Sequence, residues 1–316
     1  MSNHLSSVQA PSAIVMVRPH HFVVNAETAL DNAFQIKFIS DESLVQRAYE
    51  EHSVAVKELE HHGVRVHVFE GDNPETPDSV FPNNWFSTHP GGHVAIYPMK
   101  ANNRRKERRI DVIEMLKEQY RVQDVIDYSG LESDGLYLEG TGAMVIDHID
   151  RVAYAVESDR TNPLILERFC THFNFDPMVF SAADSQGVRI YHTNVLMCIA
   201  TDYALIGEDM IVDKEQREAV VSRLKESGRH VISLNEHQIA SFAGNAIELQ
   251  GREGRLLALS KTAFDSLHPD QISIIQESTR LVPLSIPTIE KAGGSVRCTI
   301  AGIHLSSRYS SAGYKS

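Results

Sequence analysis

Two rhythms of apolar and polar positions run along the chain. Short apolar runs rich in β-branched residues, at 14–17, 64–69, 93–97, 143–147, 152–156, 195–200, 203–207, 231–234, 246–249 and 256–259, have the length and composition of strands. Between them, 41–62, 104–119, 162–172, 213–227 and 269–279 repeat apolar residues at helical spacing. Helices thus alternate with groups of strands, which predicts an α/β fold. Two stretches echo each other: 59–70 and 224–236 each close a helical segment on a glycine, Gly63 or Gly228, and enter a strand at once. Repeated helix–turn–strand units fit a doubly wound sheet or a propeller of α/β modules, and periodicity alone does not choose between them. No Ser-, Pro- or Gly-rich linker divides the chain, so one domain is expected over 13–305. Small, polar, aperiodic ends at 1–12 and 306–316 are expected to be loose.

Charge narrows the partners. A net charge of −12 over 316 residues supplies no broad cationic surface, so nucleic acid is not an expected partner. The dense basic run Arg104, Arg105, Lys106, Arg108 and Arg109 is broken by Glu107 and leads into an amphipathic pattern, so it reads first as a solvated helix face. No window approaches about eighteen consecutive apolar residues, and no basic segment followed by an apolar one opens the chain. A membrane is therefore not expected, and a cytoplasmic setting is. Cys170, Cys198 and Cys298 are odd in number and lack CxxC spacing, which suits a reducing compartment. The adjacent pairs His20-His21 and His61-His62 lack the i, i+4 spacing that presents two imidazoles together, so neither a metal nor another cofactor is expected.

The common nucleotide, zinc-protease and serine-hydrolase motifs are missing. Polar clusters instead sit at strand ends: Asp78-Ser-Val-Phe-Pro-Asn-Asn84, Glu139-Gly-Thr-Gly142, Tyr191-His192-Thr-Asn194 and Gly293-Gly-Ser-Val-Arg-Cys298. Cys298 follows two glycines and an arginine, the setting of a thiol on a turn beside a cation that favours the thiolate. Cys198, inside an apolar run, and Cys170, near a helix end, read as structural. His192 stands where one strand ends and another begins, and Glu139 where a strand meets a Gly-rich bend. Taken singly, each is more often structural than catalytic.

In order and local pattern, however, the clusters resemble the guanidine-modifying superfamily, which includes arginine deiminase, dimethylarginine dimethylaminohydrolase and amidinotransferases. The resemblance runs over nearly the whole chain. Asp78-x-x-Phe81-x-x-Asn84 resembles the family's Asp-x-x-Phe-x-x-Asp, Arg104-Arg-Lys-Glu107 its Arg-Arg-x-Glu, and Glu139-Gly-Thr-Gly142 its acidic Gly-Gly-Asp. Arg160-Thr-Asn162 resembles its Arg-Thr-Asn, His192 its histidine, and Cys298 its nucleophile near the C-terminus. The resemblance implies a five-bladed pseudo-symmetric α/β propeller, the pentein fold, with Cys298, His192 and Glu139 as catalytic residues. It also implies substrate contacts from Asp78, Phe81, Asn84, Arg104, Arg160 and Asn194, with Asp78 at an α-amino group and Arg104 and Arg160 at an α-carboxylate.

Three departures bear on the substrate. Asn84 and Asn194 stand where the deiminases have acids, and Gly142 replaces a further one. Carboxylates grip a cationic guanidinium, whereas carboxamides offer the donors and acceptor that pair with a neutral urea. With Phe-Pro-Asn-Asn-Trp written out at 81–85, the chain resembles the citrulline ureidase branch, cleaving L-citrulline to ornithine, ammonia and carbon dioxide through an S-carbamoyl cysteine. The expected partner is then a small ureido or guanidino amino acid, and a homo-oligomer is compatible with the sequence. Two rivals remain at this point: a hydrolase or amidinotransferase acting on arginine or methylarginine, and a non-enzymatic propeller that binds a partner.

Overall fold

The computed structural model describes residues 7–29, 32–36 and 42–309. They form five three-stranded sheets. In four of them the chain makes an antiparallel hairpin, crosses over through helix, and returns as a parallel outer strand. These are β3 (Phe86–His89), β4 (His93–Ile96) and β5 (Asp124–Asp127); β6 (Met144–Asp147), β7 (Val152–Val156) and β8 (Asp176–Phe180); β9 (Met197–Ile199), β10 (Tyr203–Ile206) and β11 (His230–Ser233); and β12 (Ile247–Gly251), β13 (Gly254–Ser260) and β14 (Arg280–Leu284). The remaining sheet pairs β1 (Ala13–Pro19) in parallel with β2 (Arg65–Gly71), and takes its antiparallel member, β15 (Ala301–Gly302), from the far end of the chain. The last strand thus closes a ring of five blades, the pentein propeller that the family resemblance implies.

The crossover helices Glu42–His61, Ile110–Gln119, Pro163–Phe173 and Lys214–Glu226 pack one face inward and leave the other to solvent. Their ends follow local chemistry. Asn162 accepts from the Leu164 N–H with Pro163 at the first helical position, and Asp213 accepts from the Gln216 N–H. Gly63 and Gly228, the echoed glycines, take left-handed φ of 88° and 82° at corresponding points of two blades. The strands β6, β7, β9 and β10 are buried along their whole lengths, which is why their sequences are nearly unbroken apolar runs.

All ten predicted strands are present, and β3, β5, β8, β14 and β15 are additional. Three of these are outer strands that are partly exposed, and β8 and β14 carry Pro177 and Pro283 in the tolerant edge position. The predicted helix at 104–119 is interrupted, because Arg104 turns its side chain into the protein and the chain re-enters a helix only at Ile110. The basic run is therefore not simply a solvated face. Residue 41 and the outermost parts of both expected loose ends, 1–6 and 310–316, lie outside the described residues. Residues 7–12, also expected to be loose, are tied down: Gln9 Nε2 donates to the carbonyls of Ile146 at 3.1 Å and Ile199 at 3.0 Å, and its Oε1 accepts from the His148 N–H at 2.8 Å.

Candidate active site

Each innermost strand, β15, β3, β6, β9 or β12, is entered through a short turn, and the polar residues of the sequence motifs sit on those turns. Asn84 ends Pro82–Asn84 before β3, Gly142 lies in Gly140–Ala143 before β6, and Asn194 lies in Thr193–Leu196 before β9. Asn245 and Cys298 lie in the corresponding turns before β12 and β15. Three asparagines, a glycine and a cysteine, one from each blade, thus meet at one end of the propeller axis.

Glu139 and His192 occupy the cap positions of two of these turns, yet neither side chain caps its own helix. They meet each other, with His192 Nε2 2.9 Å from Glu139 Oε2. Both are buried, at 2% and 0% exposure, so the bond is made away from water. Burial alone would raise the Glu139 pKa, but Arg160, the His192 hydrogen bond and Arg104 outweigh it and hold the carboxyl well below its ordinary range. For His192, burial lowers the pKa against the opposing pull of Glu139, so the ring is neutral at neutral pH. With Nε2 committed to Glu139, Nδ1 is the nitrogen left for a reacting group.

The Cys298 sulfur accepts from Asn194 Nδ2 and Asn245 Nδ2, both at 3.2 Å. Asn245 also donates to the Asn194 carbonyl at 2.9 Å, and its Oδ1 accepts from the Cys298 N–H at 3.4 Å. It was not singled out in the sequence. Its signal is positional: it stands two residues before the first residue of its inner strand, as Asn84 does, while Asn194 and Cys298 stand three before theirs. Asn194 Oδ1 is buried with no hydrogen-bond partner among the described residues, an open acceptor on the amide that meets the sulfur.

Arg104 is 2% exposed and forks Glu107 through Nε and Nη2, both at 2.9 Å. Asn84 is placed with its amide oxygen accepting from Arg104 Nη1 at 2.8 Å and Nη2 at 3.2 Å, the assignment that also lets its nitrogen donate to Asn83 Oδ1. Arg104 Nε lies 3.8 Å from Asp78 Oδ2, and Nη1 lies 3.8 Å from Glu139 Oε2. The guanidinium is thus ringed by protein acceptors. Arg160 stacks over the Tyr191 ring at 5.0 Å and reaches Glu139 Oε2 at 3.5 Å. Asp78 Oδ2 accepts from Asn25 Nδ2 at 2.7 Å, while its Oδ1 is buried and has no partner among the described residues.

Asp78, Phe81, Asn84, Arg104, Arg160, His192 and Cys298 line one small cavity of about 20 Å³, and Glu139 and Asn194 stand directly behind His192 and Cys298. All nine residues named from the sequence therefore gather in one place. The described residues of 22–29 and 32–36 add to the wall: Asn32 lines the cavity, and Asn25 and Thr28 hold Asp78 and Arg160. Nothing in that segment's sequence marked it. The Arg297 side chain, by contrast, does not line this cavity and points into the axis beneath it.

Gly142 shows why the family's acid is missing here. A Cβ at this position would collide with the Asn84 carboxamide and lie 2.8 Å from His192 Nδ1, so Asn84 and His192 fill the space in which that side chain would begin.

Among the described residues, no group of His, Cys, Asp and Glu is arranged to hold a metal ion, and no helix is long and apolar enough to cross a membrane. The profile of the family described as N,N dimethylarginine dimethylhydrolase, eukaryotic, matches residues 18–305. No curated protein sequence matches significantly. Similar solved structures include the substrate-bound N-terminal domain of ArgZ, an arginine dihydrolase from the ornithine-ammonia cycle in cyanobacteria, at TM-score 0.70 and 16% identity over 92% of this chain and 97% of that one. AgrE in complex with ornithine and NAD+ superposes at TM-score 0.74 and 18% identity, covering 94% of this chain but only 40% of AgrE. A dimethylarginine dimethylaminohydrolase adduct with S-methyl-L-thiocitrulline matches at TM-score 0.61 and 14% identity, over 93% of this chain and 100% of that one. At these identities the likeness is one of fold, and the family match rests on the sequence itself. The chain belongs to the N,N dimethylarginine dimethylhydrolase family of the guanidine-modifying superfamily.

Proposed function

We propose that the protein is a cysteine hydrolase that cleaves the ureido group of L-citrulline. One observation carries the choice of a urea over a guanidinium: the groups within hydrogen-bonding distance of the Cys298 sulfur are two carboxamides, Asn194 and Asn245. Attack on a neutral ureido carbon drives negative charge onto its oxygen, which N–H donors stabilise and carboxylates would repel. Attack on a guanidinium discharges a cation, and there carboxylates are the fitting partners. The free Asn194 Oδ1 supplies the one acceptor that a ureido NH₂ needs.

In the first half-reaction the Cys298 proton passes to His192 and the thiolate attacks the ureido carbon. The S–C bond forms, the C–N bond to the ornithine side chain breaks, and His192 returns the proton to the departing amine. An S-carbamoyl cysteine remains. In the second half-reaction neutral His192 takes a proton from water, whose oxygen attacks the same carbon. The thiolate leaves with the carbamoyl group released as carbamate, which falls apart to ammonia and carbon dioxide. Glu139 keeps the His192 ring oriented and stabilises its charged form.

Asp78, with Oδ1 unpartnered, is assigned to the α-ammonium group. Arg160 is assigned to the α-carboxylate. Arg104, already forked onto Glu107 and bonded to Asn84, is assigned to holding Asn84 in place, a different role from the carboxylate clamp expected of it.

A guanidino substrate is the second reading, favoured by the description of the family itself. The two separate on initial rates of ornithine and ammonia release from citrulline, arginine, methylarginine and agmatine. The expected result is a kcat/KM for citrulline on the order of 10²-fold or more above that for any guanidino compound. A preference for arginine or methylarginine would overturn the ureidase reading while leaving the cysteine mechanism in place.

A further inference from the structure

Beneath the active site, a second cavity of about 50 Å³ lies on the propeller axis and is lined from every one of the five innermost strands. Its walls carry Arg297, His89, His148, His304, Gln9 and Glu248. The polar groups of this wall are unevenly satisfied. Glu248 is paired with Arg255 at 3.1 Å and accepts from the Thr201 hydroxyl at 2.6 Å, so its charge is answered away from the axis. His304 Nδ1 donates to the Val8 carbonyl at 3.1 Å.

Arg297 has no such answer. Its guanidinium makes one hydrogen bond, from Nη1 to the Ile300 carbonyl at 2.8 Å, and no ion pair with any described carboxylate. Arg297 is partly buried, and a guanidinium, always charged, that is drawn away from bulk water without a counter-charge is costly unless water or an anion meets it.

The histidines add donors. The Tyr97 hydroxyl lies 2.5 Å from Ser87 Oγ, its one hydrogen-bond partner among the described residues, so its proton goes there. Ser87 then turns its own proton to His89 Nε2 at 2.7 Å. That arrangement puts the proton of the neutral imidazole on Nδ1, where it is buried and has no acceptor. His148 Nδ1, on the same wall, is also buried and unpartnered.

We infer that this axial cavity is a binding site for a small monovalent inorganic anion, held by Arg297, with the His89 imidazole as a further donor from the same lining. The volume suits a halide or an ion of similar size, several times the roughly 10–15 Å³ that a single water requires. One guanidinium with no counter-charge calls for a single negative charge. The site is separate from the substrate cavity, shares no lining residue with it, and does not depend on which substrate the enzyme turns over.

The probes are chloride and bromide, on the full chain. Replacing gluconate by chloride at equal ionic strength is expected to raise the midpoint of thermal unfolding saturably, on the order of 2–4 °C, with bicarbonate tested in the same way to separate a halide from an oxyanion. Arg297→Gln is expected to abolish the shift. Should that variant not fold, the decision falls to the wild type: crystals soaked in bromide are expected to show an anomalous scattering peak beside the Arg297 guanidinium. A cavity holding only water in bromide crystals overturns the inference. So does a stabilisation by chloride that is linear instead of saturable, or that Arg297→Gln retains in full.

Discussion

Cys298→Ser is expected to lower turnover by roughly 10⁴–10⁶-fold while leaving the fold intact. The sulfur sits 3% exposed between two amide donors at 3.2 Å, contacts that a charged, polarisable thiolate uses and a neutral hydroxyl on a shorter bond does not reproduce. Serine would also need a base strong enough to remove its proton, and a His192 whose pKa is lowered by burial is a weak one. The other cysteines cannot substitute. Cys170 and Cys198 are in the apolar core, where burial pushes each thiol up to about 12. Cys170→Ala and Cys198→Ala should therefore keep their activity. Rates of ornithine release together with circular dichroism melts decide the matter, and a Cys298→Ser enzyme of near wild-type rate would remove the nucleophile from the account.

Arg104→Ala should be the most damaging change to stability, on the order of 3–5 kcal/mol, because it strands a buried carboxylate. Glu107 is fully enclosed, and burial pushes its pKa from the ordinary 4.5 to about 7 even with Arg104 forked onto it. Without the arginine that carboxyl has lost its bidentate partner, and Asp78 and Asn84 each lose a neighbour. Glu139 suffers less, since Arg160 and His192 remain. The pH dependence has a definite sign. A carboxyl whose pKa is raised in the folded state binds a proton that the unfolded chain has released between pH 4.5 and about 7, so its stabilising contribution is present at low pH and is lost as pH rises through that window. Removing Arg104 takes away a charge that lowers the Glu107 pKa, so the loss extends to higher pH and the variant is penalised most above pH 7. Urea unfolding of wild type and variant at pH 5.5 and pH 8 tests this: a deficit that is equal at both values, or larger at the lower one, would mean that Glu107 is not the stranded group.

These two residues also show what the sequence could and could not reveal. Cys298 was legible because its turn and its place near the C-terminus are local features, and so were Glu139 and His192 once they were seen in order. The inward turn of Arg104 was not legible, since a run of basic residues leading into an amphipathic helix has the pattern of a solvated face whichever way one side chain points. Asn245 was missed for a related reason: a Gly-Asn pair before a strand is ordinary turn chemistry, and only the ring of five blades brings it to the sulfur. Among the elements, the middle strands and the inner strands β6, β9 and β12 announced themselves by apolar runs, whereas buried β3, Phe-Ser-Thr-His, is too polar to do so. The outer strands β5, β8 and β14, half-exposed and in two cases bearing a proline, look like loops until a parallel neighbour is supplied. The choice of a closed propeller over a doubly wound sheet depended on β15, a two-residue strand that pairs with β1 across nearly the whole chain and leaves no local signature.

The ureidase reading stands or falls on the covalent intermediate. Wild-type protein mixed with citrulline labelled at the ureido carbon, quenched in acid during turnover and digested, should yield the Cys298 peptide heavier by one labelled carbamoyl group. The adduct should be absent from the Cys170 and Cys198 peptides and should not form with arginine. An amidino group on Cys298 from arginine, with no carbamoyl group from citrulline, would contradict the account and assign the site to a guanidino substrate.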